Sequence, residues 1–162
     1  MDAETKDAAA VPTDQAREYL CGILERMGIP AQVTAREEED KLVLDVACAS
    51  SDDVQRVIGR RGQVVDALQH LVSKMVGKGK SEGRGKPIVV DSGGYRQRHI
   101  DRLQGLAAKM AEKARTSGRP VDLDPMPPHD RRVIHMALAE VDGVATRSEG
   151  EGDLRHVVVV PA

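Results

Sequence analysis

The feature that most limits how this chain folds is the run Val57-Ile58-Gly59-Arg60-Arg61-Gly62-Gln63, set between two amphipathic segments. Ahead of it, Val54, Val57 and Ile58 recur at helical spacing behind Ser51, a residue that caps helices. Asp52 and Asp53 fill the first turn, where the helix dipole favours acids. Behind it, Val65, Leu68, Leu71, Val72 and Met75 repeat with the same period and are expected to point inward. Two glycines at a helix–helix junction permit a close backbone approach that any Cβ would obstruct. The second helix starts at the turn, so its first N–H groups and the charges of Arg60 and Arg61 converge on one spot, which suits an anion. Ile58 before the turn and Val64 or Val65 after it are expected to floor an apolar groove beside the strand at 42–46. A Gly-x-x-Gly match alone is weak, since 15 glycines in 162 residues give roughly one by chance. Its setting carries the information.

The neighbouring segments supply that setting. Residues 1–12 are Ala-rich, charged and aperiodic, and read as a disordered tail. Ala16, Leu20, Ile23, Leu24 and Met27 then recur at helical spacing until Gly28 and Pro30 stop the helix. Residues 31–36 and 42–48 read as strands joined by the charged turn Glu37-Glu38-Glu39-Asp40. After the two helices comes a basic loop at residues 77–86, carrying Lys78, Lys80 and Arg84, and then the strand Ile88-Val89-Val90. The order is α-β-β-α-α-β.

Charge is segregated along the chain, which the formal net value of -2 conceals. Between Arg36 and Asp53 seven acids face two bases, whereas between Arg56 and Arg119 fifteen Lys and Arg face five acids. The second stretch has the electrostatic footprint of a polyanion binder. The chain has no Trp, no Phe and two Tyr, which excludes nucleic-acid readers that stack bases on aromatic side chains. No apolar run reaches the length of a membrane span and no signal peptide opens the sequence, so a cytoplasmic protein without membrane insertion is expected. Cys21 and Cys48 are far apart and the five histidines are scattered, giving no metal pattern and no expectation of a cofactor.

From Ser92-Gly93-Gly94 onward a second small α/β unit is expected. Leu103, Leu106, Ala107, Met110 and Ala114 mark one face of a long helix ending at Gly118. A short strand at 120–123 leads through Asp124-Pro125-Met126-Pro127-Pro128 into a helix whose inner stripe is Ile134, Ala137, Leu138 and Val141. Strands at 144–147 and 155–160 close the unit around a Gly-rich turn. On its helix Arg131 and His135 lie four apart and so share a face, flanking the apolar stripe. His135 can meet a phosphate as a cation or give a neutral hydrogen bond.

These segments resemble known modules. The α-β-β-α-α-β order with residues 57–63 resembles a type II KH domain, which holds about four single-stranded nucleotides with its Gly-x-x-Gly loop on the backbone. The segment from Asp124 to His135, with Ser148-Glu149-Gly150-Glu151-Gly152, resembles the domain named for its Arg-x-x-x-His motif ("R-three-H"), known for binding single-stranded nucleic acid. In this order, over residues 14–162, they resemble the bacterial Jag family, also called SpoIIIJ-associated protein. Most members carry a further N-terminal domain, where this chain is expected to have only its tail. At His129-Asp130 the family more usually shows an aromatic followed by Glu.

The resulting expectation is an α+β chain of two small domains: a type II KH domain at 13–91 and, at 92–162, an Arg-x-x-x-His domain with a small sheet packed on helices. RNA contacts are expected at Ile58, Gly59, Arg60, Arg61, Gly62 and Gln63, at Lys78, Lys80 and Arg84, and at Arg131, Arg132 and His135. The partner is single-stranded RNA, with single-stranded DNA as the alternative. The resemblance implies an RNA chaperone or post-transcriptional regulator linked to cell-wall homeostasis and cell length, in complex with a small single-KH protein or with itself. A protein-interaction adaptor of the elongation or division machinery is the competing reading. A nuclease using His135 or His99 as general base is disfavoured, because no paired carboxylates, phosphate-loop lysine or metal cluster accompany these histidines.

Overall fold

The computed structural model describes residues 11–77 and 86–162. The chain divides into two units, Met1–Tyr95 and Arg96–Ala162. Both combine helices with a three-stranded sheet, the α+β class expected from the sequence.

In the first unit α1 (Val11–Arg26) begins inside the stretch read as tail, of which residues 1–10 lie outside the described residues. It buries Ala16, Leu20 and Leu24 and ends at Gly28, whose φ of 66° is open to glycine. Strand β1 (Ala31–Glu37) pairs antiparallel with β2 (Leu42–Cys48), from Ala31 opposite Cys48 to Glu37 opposite Leu42. On its other side β2 pairs in parallel with β3 (Ile88–Ser92). A parallel neighbour requires a crossover, which α2 (Ser51–Ile58) and α3 (Gln63–Gly77) supply, with the glycine turn between them.

Two expectations about these helices need correction. The cap of α2 is Ser50, one residue earlier than Ser51: its Oγ accepts from the Asp53 N–H at 3.1 Å. Both serines are competent, and only the chain path out of β2 selects between them. On α3 the inward residues are Val65, Leu68 and Val72, while Leu71 is 48% and Met75 37% exposed. These two lie one step around the helix from the buried row.

Helix α4 (Tyr95–Ser117) opens on Tyr95, which belongs to the core of the first unit, and the second unit begins with its next residue, Arg96. Its buried row is Leu103, Ala107, Ala111 and Ala114, and Leu106, expected inside, is 36% exposed. Alanines bring a helix close to its neighbours, so apolar size misidentifies the inner face here. Strand β4 (Val121–Asp122), α5 (Pro128–Leu138), β5 (Val144–Glu149) and β6 (His156–Pro161) follow. The sheet order is β4-β6-β5, all antiparallel, and Val157 and Val159 of central β6 meet Ile134 and Leu138 of α5 in the core.

Candidate nucleic-acid interface

The turn between α2 and α3 is held from several sides. Arg56 on α2 donates to the carbonyls of Met27 (2.8 Å) and Gly28 (3.3 Å) while pairing with Asp53 at 2.9 Å. It thereby ties α2 to the end of α1. Gly59 closes α2 with its N–H on Gln55 O and φ of 72°. Residues Arg60–Gly62 form a single 3-10 turn, in which Arg61 takes φ 53° and Gly62 φ 80°.

Space and dihedral together reserve both glycine positions. A Cβ on Gly59 would collide with Cγ2 of Val64 and lie 2.8 Å from its Cβ and 3.0 Å from its N. A Cβ on Gly62 would lie 2.8 Å from both Cε1 and the hydroxyl oxygen of Tyr95. The chain is thus pressed down between α3 and Tyr95, while Arg60, Arg61 and Gln63 are exposed on its outer side. Of the residues expected to floor a groove, Val65 is wholly buried and Ile58 nearly so, while Val64 keeps part of its surface outside. Ile58 (5% exposed) and Val65 belong to the core, and half-buried Val64 packs against that core beneath Gly59. The tightness of the turn draws them inside. Lys78, Lys80 and Arg84 lie outside the described residues.

In the second unit a helical spacing of four meets a strand spacing of two. Arg131 and His135 share one face of α5, and Thr146 and Ser148 share the face of β5 that α5 covers. His135 Nδ1 lies 2.7 Å from Thr146 Oγ1 and its Nε2 lies 2.8 Å from Ser148 Oγ. Arg131 donates from Nη1 to Ser148 Oγ (3.3 Å) and from Nε to Met126 O (3.3 Å). All four side chains are half-buried, and burial together with the Arg131 charge lowers the His135 pKa below its ordinary 6.5. Arg132 is exposed and stands apart from this set. Thr146 carries no motif of its own, and Ser148 enters the sequence reading only as the first residue of the segment 148–152; neither is marked there as a partner of Arg131 or His135.

Asp130 is the other residue the sequence leaves unassigned. It is 7% exposed and its Oδ2 lies 3.0 Å from His99 Nε2, joining α5 to α4. A carboxylate does therefore accompany His99, and the pair is turned into the protein. His156 is raised above its ordinary 6.5 by the Leu154 carbonyl and by Asp122 and Glu149. Among the described residues no helix is long and apolar enough to cross a membrane.

Comparison with known proteins finds a match in each of the two units. A family model described as "KhpA/KhpB, KH domain" matches residues 14–85, and the model of the R-three-H domain matches residues 101–161. The chain is similar to the RNA-binding protein KhpB of Clostridium symbiosum, 36% identical over 146 residues, covering 90% of this chain and 64% of that protein. It is similar to its namesake in Bacillus subtilis, 30% identical over 150 residues, covering 91% and 70%. The protein of that name in Lactiplantibacillus plantarum is 31% identical over 143 residues, covering 88% and 42%. The chain thus spans between 42% and 70% of the length of these relatives.

Proposed function

We propose that this chain, which belongs to the KhpB (Jag) family of proteins with a KH and an R-three-H domain, binds single-stranded RNA through both units and acts without catalysis. The observation that carries the reading is the turn at residues 59–62. Two glycines in contact with Val64 and Tyr95 hold the backbone low, and Arg60 and Arg61 stand exposed at the start of α3. Helix N-terminal N–H groups, a helix dipole and two cations at one point are what a phosphodiester needs. The second unit adds Arg131 beside two strand hydroxyls, a further place for a phosphate of the same strand. The relatives, each known as an RNA-binding protein, favour RNA over single-stranded DNA.

In this reading the chain serves as an RNA chaperone or post-transcriptional regulator in the cytoplasm, with a part in cell-wall homeostasis and cell-length control, which rests on the family resemblance. A complex with a small single-KH protein or with a second copy belongs to the same reading. Exposed Leu71 and Met75 on α3 give it an apolar face to use.

The test is fluorescence anisotropy of labelled single-stranded RNA and DNA against the wild-type chain and the Arg60→Asp/Arg61→Asp variant. RNA affinity falls by roughly tenfold or more on charge reversal, with an unchanged unfolding transition. An equal affinity in a folded variant removes the turn from the interface, and tighter binding of DNA reassigns the ligand.

A further inference from the structure

Proton counting in the Arg131–Ser148–His135–Thr146 set leads beyond a general phosphate site. Arginine only donates, so the Ser148 oxygen accepts from Arg131 Nη1. That leaves the single Ser148 O–H to give away. His135 lies between two hydroxyls, 2.8 Å from Ser148 Oγ and 2.7 Å from Thr146 Oγ1, so both of its nitrogens are engaged inside the protein. A neutral imidazole has one donor and one acceptor. When Ser148 O–H donates to Nε2, Nδ1–H donates to Thr146 Oγ1. Every bond then runs in one direction, from the Arg131 cation outward, and each donor is polarised by the one before it. The reverse tautomer makes the Ser148 oxygen accept twice and loses that alignment.

A ring with both nitrogens occupied does not itself grip a ligand. The group left with a hydrogen to offer at the end of the run is the hydroxyl of half-buried Thr146.

We infer that His135 is a positioning residue with its proton on Nδ1, and that the Thr146 hydroxyl, aimed by the run Arg131–Ser148–His135, donates to a phosphodiester oxygen of the bound strand. The ligand half of this inference rests on the single-strand binding proposed above; the tautomer half stands on the free protein.

Two measurements test it. Long-range nitrogen–proton correlation spectra of the His135 ring in the full chain at neutral pH are expected to show the Nδ1–H tautomer. The Nε2–H pattern or an imidazolium overturns the relay. Binding of a short fluorescein-labelled oligouridylate is then compared across variants verified as folded by their amide spectra. Thr146→Val is expected to weaken binding by about tenfold, the loss of one hydrogen bond to a charged group, and Thr146→Ser to restore it. In the Thr146→Val background His135→Gln is expected to add little, because His135 acts through Thr146. Additive losses, or a Thr146→Val variant that binds like wild type, overturn the inference. Should His135→Gln fail to fold, the Thr146→Val and Thr146→Ser pair and the spectra still decide. A wild-type chain that does not bind the oligonucleotide removes the proposed function and the ligand half with it, while the spectra still judge the tautomer.

Discussion

Gly62 and Tyr95 are fitted to one another: a Cβ at residue 62 would stand 2.8 Å from the ring edge and from the hydroxyl oxygen of residue 95. Tyr95 belongs to the core of the first unit and is 9% exposed. The shape of the turn at residues 59–62 therefore depends on a side chain 33 residues downstream in sequence.

Gly62→Ala is expected to cost about 2–4 kcal/mol, combining backbone strain at φ 80° with overpacking against the ring. In a Tyr95→Val background the same substitution costs only the backbone part, about 1 kcal/mol. Urea unfolding followed by far-UV circular dichroism measures both. Equal costs in the two backgrounds would show that the ring does not set the turn.

The salt dependence of RNA affinity separates contributions of the two units. Each phosphate contact adds about −0.7 to the slope of log K against log salt. Arg131→Ala is expected to weaken binding less than the double reversal at Arg60 and Arg61, and to make the slope shallower by roughly one such step. Anisotropy titrations over a range of salt read this directly; an unchanged slope places Arg131 away from phosphate.

His135 and His156 are expected to titrate on opposite sides of 6.5, since burial and Arg131 lower the first while the Leu154 carbonyl and Asp122 raise the second. Linkage then gives the two opposite signs. The unfolded chain binds a proton more readily than folded His135, so stability is lost as pH falls below 6.5 toward its folded value. The contribution of His156 is fully present below 6.5 and is lost as pH rises through its folded value. Ring proton shifts followed against pH resolve both, and the order His135 above His156 would contradict the assignment.

Asp130→Asn is expected to destabilise the second unit by about 2 kcal/mol, because it removes the carboxylate facing His99 at a site 7% exposed. Amide exchange of α4 and α5 reports the loss. Protection equal to wild type would mark the pair as dispensable.

Much of this was legible in the residues, and the exceptions share a cause. Among the described residues periodicity locates the five α-helices and six strands, though not the start of α1 or the two short 3-10 turns, because burial imposes 3.6 and 2 on the pattern. It misplaced Leu71, Met75 and Leu106, since at the margin of a helix face a large apolar residue and a buried one read alike. Arg60, Arg61, Arg131 and His135 stand out as charges at motif spacing. Thr146 does not, and Ser148 and Asp130 enter only as parts of a resemblance, because what these three touch lies across 11, 13 and 31 residues of chain.

The position of Tyr95 has an optical consequence. The chain has no Trp and two tyrosines, Tyr19 on α1 and Tyr95 against Gly62, both in the first unit. Intrinsic ultraviolet emission therefore comes from that unit alone, and one of its two emitters touches the turn proposed to hold RNA. Engagement of that turn is readable without any label as a change in tyrosine emission, in a signal to which the second unit contributes no fluorophore.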